Sequence, residues 1–142
     1  MWNEIKNEHD IEEFMNIVNE FSNSCIKEMR YISGGYVNAN DLSMYAVSDV
    51  RELRIIFHRQ YEDIYAFEMK FIGVSDLIMH ATDLTDCVIY DSTFIKRDNM
   101  FYWFDYEDGD TENIYDEGTC VVAEKVFWRE IKSDDMPYSA EK

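Results

Sequence analysis

Phe67-Glu68-Met69-Lys70-Phe71 alternates an aromatic or apolar residue with a charged one. Side chains of an extended chain point to opposite faces in turn, so this spacing predicts a strand with Phe67, Met69 and Phe71 facing a core. Upstream, Leu53, Ile55, Phe57 and Tyr61 alternate with Arg54, His58 and Gln60, and Ile56 and Arg59 break the pattern. The intervening residues 61–65 carry Glu62 and Asp63 and read as the turn of a hairpin. Downstream, 87–96 and 100–105 predict a second hairpin closed by Arg97, Asp98 and Asn99, and 119–131 a last long strand. Residues 74–81 fit either a short strand or a helical turn.

Towards the N-terminus, 25–37 is rich in β-branched and aromatic residues and includes Gly34-Gly35, which suggests a bulge or tight bend. Before it, Ile11, Phe14, Met15, Val18 and Phe21 fall on one face at helical spacing, predicting a helix over 8–21. Asp10 with Glu13 resembles a capping box, and Asn7 offers an earlier cap. Asp10, Glu12 and Glu13 lie where the helix dipole favours negative charge. One helix followed by strands without a βαβ alternation predicts an α+β fold. The expected architecture is an N-terminal helix packed on a mostly antiparallel sheet of about six to eight strands, in a meander. Residues 1–132 form one domain in this reading. Residues 133–142, with the single proline Pro137, form a polar tail.

With 142 residues, 46% of them hydrophobic and 15% aromatic, the chain can bury a sizeable core without disulfides or metals. Its three cysteines, Cys25, Cys87 and Cys120, are too sparse for a disulfide framework and form no C-x-x-C pair. They read as small buried hydrophobes in a reducing, cytoplasmic setting. The first ten residues hold Glu4, Glu8 and Asp10 against Lys6 and no apolar run, which does not fit a secretory signal. No apolar stretch approaches the ~20 residues needed to span a bilayer. Thirty acidic residues against thirteen Lys and Arg give a formal charge of −17. Phosphate backbones and anionic lipids are bound by clustered bases, so neither nucleic acid nor a membrane is an expected partner. A basic protein would be steered in. No cofactor is expected.

The densest acid cluster is 105–117, Asp-Tyr-Glu-Asp-Gly-Asp-Thr-Glu-Asn-Ile-Tyr-Asp-Glu, with seven acidic residues of thirteen and no base. It follows the aromatic run Phe101, Tyr102, Trp103, Phe104. Trp103 and Tyr106 are the candidate anchors. Asp105, Glu107, Asp108, Asp110, Glu112, Asp116 and Glu117 are the candidate steering charges for a basic partner. The competing reading is a solvated connection. An EF-hand is excluded: setting Gly109 at the sixth loop position puts Phe104 where a carboxylate must stand. Arg54 and His58 are the alternative site, a small-anion or acid–base pair in a pocket between helix and sheet. No nucleophile elbow, phosphate loop or dinucleotide turn is present.

The helix-to-strand junction Phe21-Ser22-Asn23-Ser24-Cys25-Ile26 resembles the F-H-D-S junction of small acidic bacterial proteins grouped with the immunity proteins of polymorphic toxin systems, with Ser22 and Asn23 in place of His and Asp. The resemblance implies a cytosolic protein that neutralises a toxin by binding it. Three expectations follow: a module that binds a basic protein, a small-molecule binder or enzyme using Arg54 and His58, and an assembly protein that offers a sheet edge.

Overall fold

Asn7, extended at φ −146°, caps the helix: its side chain accepts from the Asp10 N–H at 2.9 Å. Asp10 reaches back to accept from the Lys6 N–H at 2.9 Å, so the first turn is closed from both ends. The structure, a computed structural model, describes residues 1–45, 50–81, 87–115 and 117–132. The 133–142 tail and Asp116 of the acidic stretch lie outside the described residues. Helix α1 runs over Glu8–Ile17, shorter than the 8–21 of the sequence pattern. Asn19, Glu20, Phe21 and Asn23 all have φ between 51° and 67°. That left-handed turn is costly for side-chain-bearing residues. It swings Phe21 under the sheet, where full burial of a phenyl ring offsets the cost by about 2–3 kcal/mol.

The strands are β1 (Asn3–Ile5), β2 (Ser24–Ile32), β3 (Tyr36–Val37), β4 (Met44–Tyr45), β5 (Glu52–Arg59), β6 (Ala66–Ile78), β7 (Thr93–Arg97), β8 (Met100–Phe104) and β9 (Cys120–Glu130). The main sheet of the described residues has seven strands in the order β2-β5-β6-β9-β8-β7, with β1 on β9, and its pairs are antiparallel. The fold is therefore α+β, one N-terminal helix packed against an antiparallel sheet. The two expected hairpins are β5–β6 and β7–β8, the latter turned by Asp98 and Asn99 at φ 55° and 66°. The connectivity departs from a plain meander. After β6 the chain crosses to the far edge, and β9 returns to pair between β6 and β8. The ambiguous 74–81 belongs to β6 as far as Ile78, past a bulge between Val74 and Asp76 that follows Gly73 at φ 70°.

The sheet curls. Strands β5 and β8 are three places apart, roughly 14 Å on a flat sheet, yet the Phe57 and Trp103 ring centroids lie 5.3 Å apart. The two ends of the order are stitched by the Ser24–Ile89 bridge, with the Asn23 N–H donating to the Ile89 carbonyl at 3.0 Å and the Ile89 N–H to the Ser24 carbonyl at 2.7 Å. Into the concave face the helix inserts Phe14, whose ring lies 5.1–5.9 Å from Phe21, Phe67, Phe94 and Trp128. The edge-on angles with the three Phe rings suit the ring quadrupoles.

Phe14→Ala removes four ring contacts at once from a site with no solvent access. It is expected to cost about 3–5 kcal/mol in urea unfolding. Ile17→Ala, on the exposed side of the same helix, is expected to cost under about 0.5 kcal/mol.

Candidate functional site

The acidic stretch is a folded strap. Thr93 ties its middle: the hydroxyl donates to the Tyr106 carbonyl at 2.8 Å and accepts from the Gly109 N–H at 2.9 Å. Gly109 is required by space, since a Cβ there would strike the Phe104 ring. The strap thereby covers a second apolar cluster on the outer sheet face, Phe104, Cys120 and Val122, with Tyr106 edge-on to Phe104. Asp105 accepts from the Thr119 N–H at 3.0 Å, Asp110 accepts from the Glu112 N–H at 2.9 Å, and Arg97 reaches Thr111 and, at 3.5 Å, Glu112. Three of the expected steering charges thus hold the strap together. Glu107, Asp108 and Glu117 face solvent.

Trp103 corrects the expected anchor set. It is fully buried on the concave face against Phe21 and Phe57, because the period-2 alternation of β8 turns 101 and 103 inward. It offers no surface to a partner. Tyr106 is half-buried and contributes to a cleft.

That cleft, about 310 Å³, lies between residues 87–91 and the strap. Its walls include four carboxylates, Asp91, Asp105, Glu107 and Glu117, two phenols, Tyr90 and Tyr106, and His80 and Cys87. Among the described residues no Lys or Arg lines it. Tyr90 is 71% exposed at the rim. A narrower recess continues behind it, between Ile26, Met79 and Ile89. Burial pushes the Asp105 carboxyl above its usual range, against the Thr119 hydrogen bond and the His80 charge that favour its ionised form. Burial, reinforced by Asp76 and Asp105, pushes the Cys120 thiol up to about 12. Cys87 departs from the buried reading of the cysteines: it is exposed in the cleft wall. Among the described residues no group of three or more His, Cys, Asp and Glu is arranged to hold a metal ion, and no helix is long and apolar enough to cross a membrane.

No family model, curated protein or solved structure matches this chain.

Arg54 and His58 do not converge. They share the outer face of β5 but stand four residues apart, about 13 Å along a strand. Arg54 pairs with Glu52 at 2.7 Å and Glu68 at 3.9 Å and lies over the Trp2 ring. His58 is half-buried with its Nε2 unpartnered among the described residues; burial and the Lys27 charge hold its pKa below the ordinary imidazole value. What sequence reasoning missed is where the bases gather. By register Arg30, Arg54, Lys70, Lys125 and Arg129 share one outer face. Arg54, Lys70 and Arg129 surround Trp2 at 4.4–5.5 Å, and buried Glu68 bonds Arg129 at 2.8 Å. The outward positions of the period-2 runs named Arg54 and Lys70 individually. Only strand order sets them side by side.

Two outcomes are expected at this site. A carboxyl whose folded pKa is raised contributes stability below its unfolded pKa and loses it as pH rises through the folded value, so at neutral pH the ionised Asp105 destabilises the fold. Asp105→Asn is accordingly expected to raise the urea midpoint at pH 7, with the gain shrinking towards pH 4. A gain independent of pH would assign it to something other than ionisation. In native protein, a disulfide exchange reagent is expected to label Cys87 first and Cys120 only after unfolding.

Proposed function

We propose that this protein is a binding module that captures a cationic group of a basic protein partner in the acidic cleft between residues 87–91 and the 105–118 strap. Its form of action is occlusion, as in an immunity-type inhibitor that covers a basic toxin surface. The observation that supports the reading is a cleft with four carboxylates and two phenols and, among the described residues, no Lys or Arg in its walls. Long-range attraction from a −17 chain brings a basic surface in. Glu107, Glu117 and Asp91 then meet a guanidinium or ammonium head at the mouth, and Tyr90 and Tyr106 offer ring faces to its stem. A strap held by Thr93 and Gly109 keeps these groups in place before binding, which limits the ordering cost of association. The pocket alternative built on Arg54 and His58 is disfavoured, because those two side chains are separated and Arg54 is committed to Glu52 and Glu68.

Titration with an oligo-arginine peptide at low and at high salt tests the reading. Glu107→Lys with Glu117→Lys is expected to weaken binding tenfold or more at low salt. Glu12→Lys with Glu13→Lys makes the same charge change on the helix and is expected to weaken it less than about threefold, since exposed charges beyond a Debye length are screened. Equal losses in the two variants would leave net charge alone at work and remove the cleft from the account.

A further inference from the structure

Residues 31–45 depart from the rest of the chain. Asp41 is their one charged residue, in a protein whose charged fraction is 30%. The stretch runs out from the end of β2 into the β3–β4 hairpin, a two-rung ladder pairing Tyr36 with Tyr45 and Val37 with Met44. This hairpin forms a sheet of its own, and all four paired residues are exposed. Two strands without a covered face are marginal in water. Yet the side chains it shows to solvent are large and apolar: Leu42 is 76% exposed, Met44 74%, Tyr36 55% and Val37 49%. Leu42 also sits at φ 60°, a conformation that disfavours a branched side chain and that Gly or Asn would adopt at less cost. Among the described residues nothing repays a leucine displayed there.

We infer that the 31–45 arm is a self-association surface, on which the β3–β4 hairpins of two copies of this chain pack against each other. Charge decides the occupant. Two copies at −17 repel across most of their surfaces, and this stretch is where they can meet with only Asp41 contributed by each. A basic partner would be drawn to the acidic surfaces instead, and an anionic lipid leaflet is repelled by the chain as a whole. Each hairpin also presents outer backbone edges that can extend a ladder into a second copy, and no proline or lysine in 31–45 blocks that pairing. At about 100 Å² for each exposed side chain, the four named residues with Tyr31, Ile32 and Tyr45 offer roughly 350 Å² per copy on one face, roughly 700 Å² in all, the size of a weak, reversible contact. A dimer joined here carries two acidic clefts, so a partner with two basic sites would gain effective concentration for its second contact.

Sedimentation equilibrium of the full chain over a concentration series tests the inference. A reversible dimer is expected, tighter at high salt because screening relieves the repulsion while apolar contact persists. That salt dependence is opposite in sign to the cleft's. Leu42→Asp with Met44→Asp is expected to weaken the dimer at least tenfold while leaving the urea midpoint of the monomer fold unchanged, since both side chains are solvent-exposed. A dimer that survives this variant, or a wild type that stays monomeric up to ~0.3 mM at high salt, would overturn the inference. Binding of a monomeric wild type to phosphatidylcholine vesicles, lost in the variant, would overturn it in favour of a lipid surface.

Discussion

The concave face of the curled sheet has to be filled, and Phe14 and Phe21 fill it. A sheet bent until Phe57 and Trp103 are in ring contact leaves a hollow lined by the inward rows of β5, β6, β8 and β9. Interiors tolerate few voids, so that hollow demands an insert of aromatic volume. Helix α1 supplies one ring, and the strained left-handed turn after it supplies the other. The unfavourable φ angles at Asn19 to Asn23 are the local cost of a global packing requirement. The same turn delivers Asn23 and Ser24 to Ile89, and so ties the β2 edge to the segment that leads into β7. Residues 87–91, one wall of the acidic cleft, owe their position to that tie.

The charge distribution has a physical order. Acids dominate the helix surface and the strap, while five bases share one outer sheet face around Trp2 and Glu68. Neighbouring bases such as Arg30, Arg54 and Lys70, paired across strands, repel one another. Glu68, buried beneath Arg54 and Arg129, and the Trp2 ring relieve that repulsion locally. A buried carboxylate of this kind adds little net stability, because desolvation offsets much of the attraction. Its effect is to hold the arginine heads over Trp2. Among the described residues the strap acids have Arg97 as their one ion-pair partner, and Glu107, Asp108 and Glu117 are left facing water.

Much of the fold was legible because the strands obey a simple period. The run 67–71 and the alternation at 53–57 assigned inward and outward faces correctly, since side-chain direction along a strand is a local property. The caps at Asn7 and the turn at Asp98-Asn99 were legible for the same reason. The helix end was misjudged: Val18 and Phe21 continue the helical spacing, but Phe21 reaches the core through a left-handed turn. Trp103 looked like an anchor beside an acidic run, and the alternation of its own strand in fact buries it. The cleft was legible only on its strap side, as Asp105, Tyr106, Glu107 and Glu117. Asp91 and Tyr90 lie before β7, Glu107 and Glu117 after β8, and His80 after β6, so no spacing in the sequence links them.

By itself the sequence determined the α+β class, the inward rows of the central strands, the acidic field and the location of the densest acid cluster. Each of these depends on neighbours a few residues apart or on composition. Tertiary structure alone decided that β9 inserts between β6 and β8, that the sheet curls onto Phe14 and Phe21, and that Thr93 and Gly109 fold the acidic run into a strap. It also decided that distant residues share a cleft and that scattered bases share a face. These are set by which surfaces close together to exclude water, and that choice is made by the whole core at once.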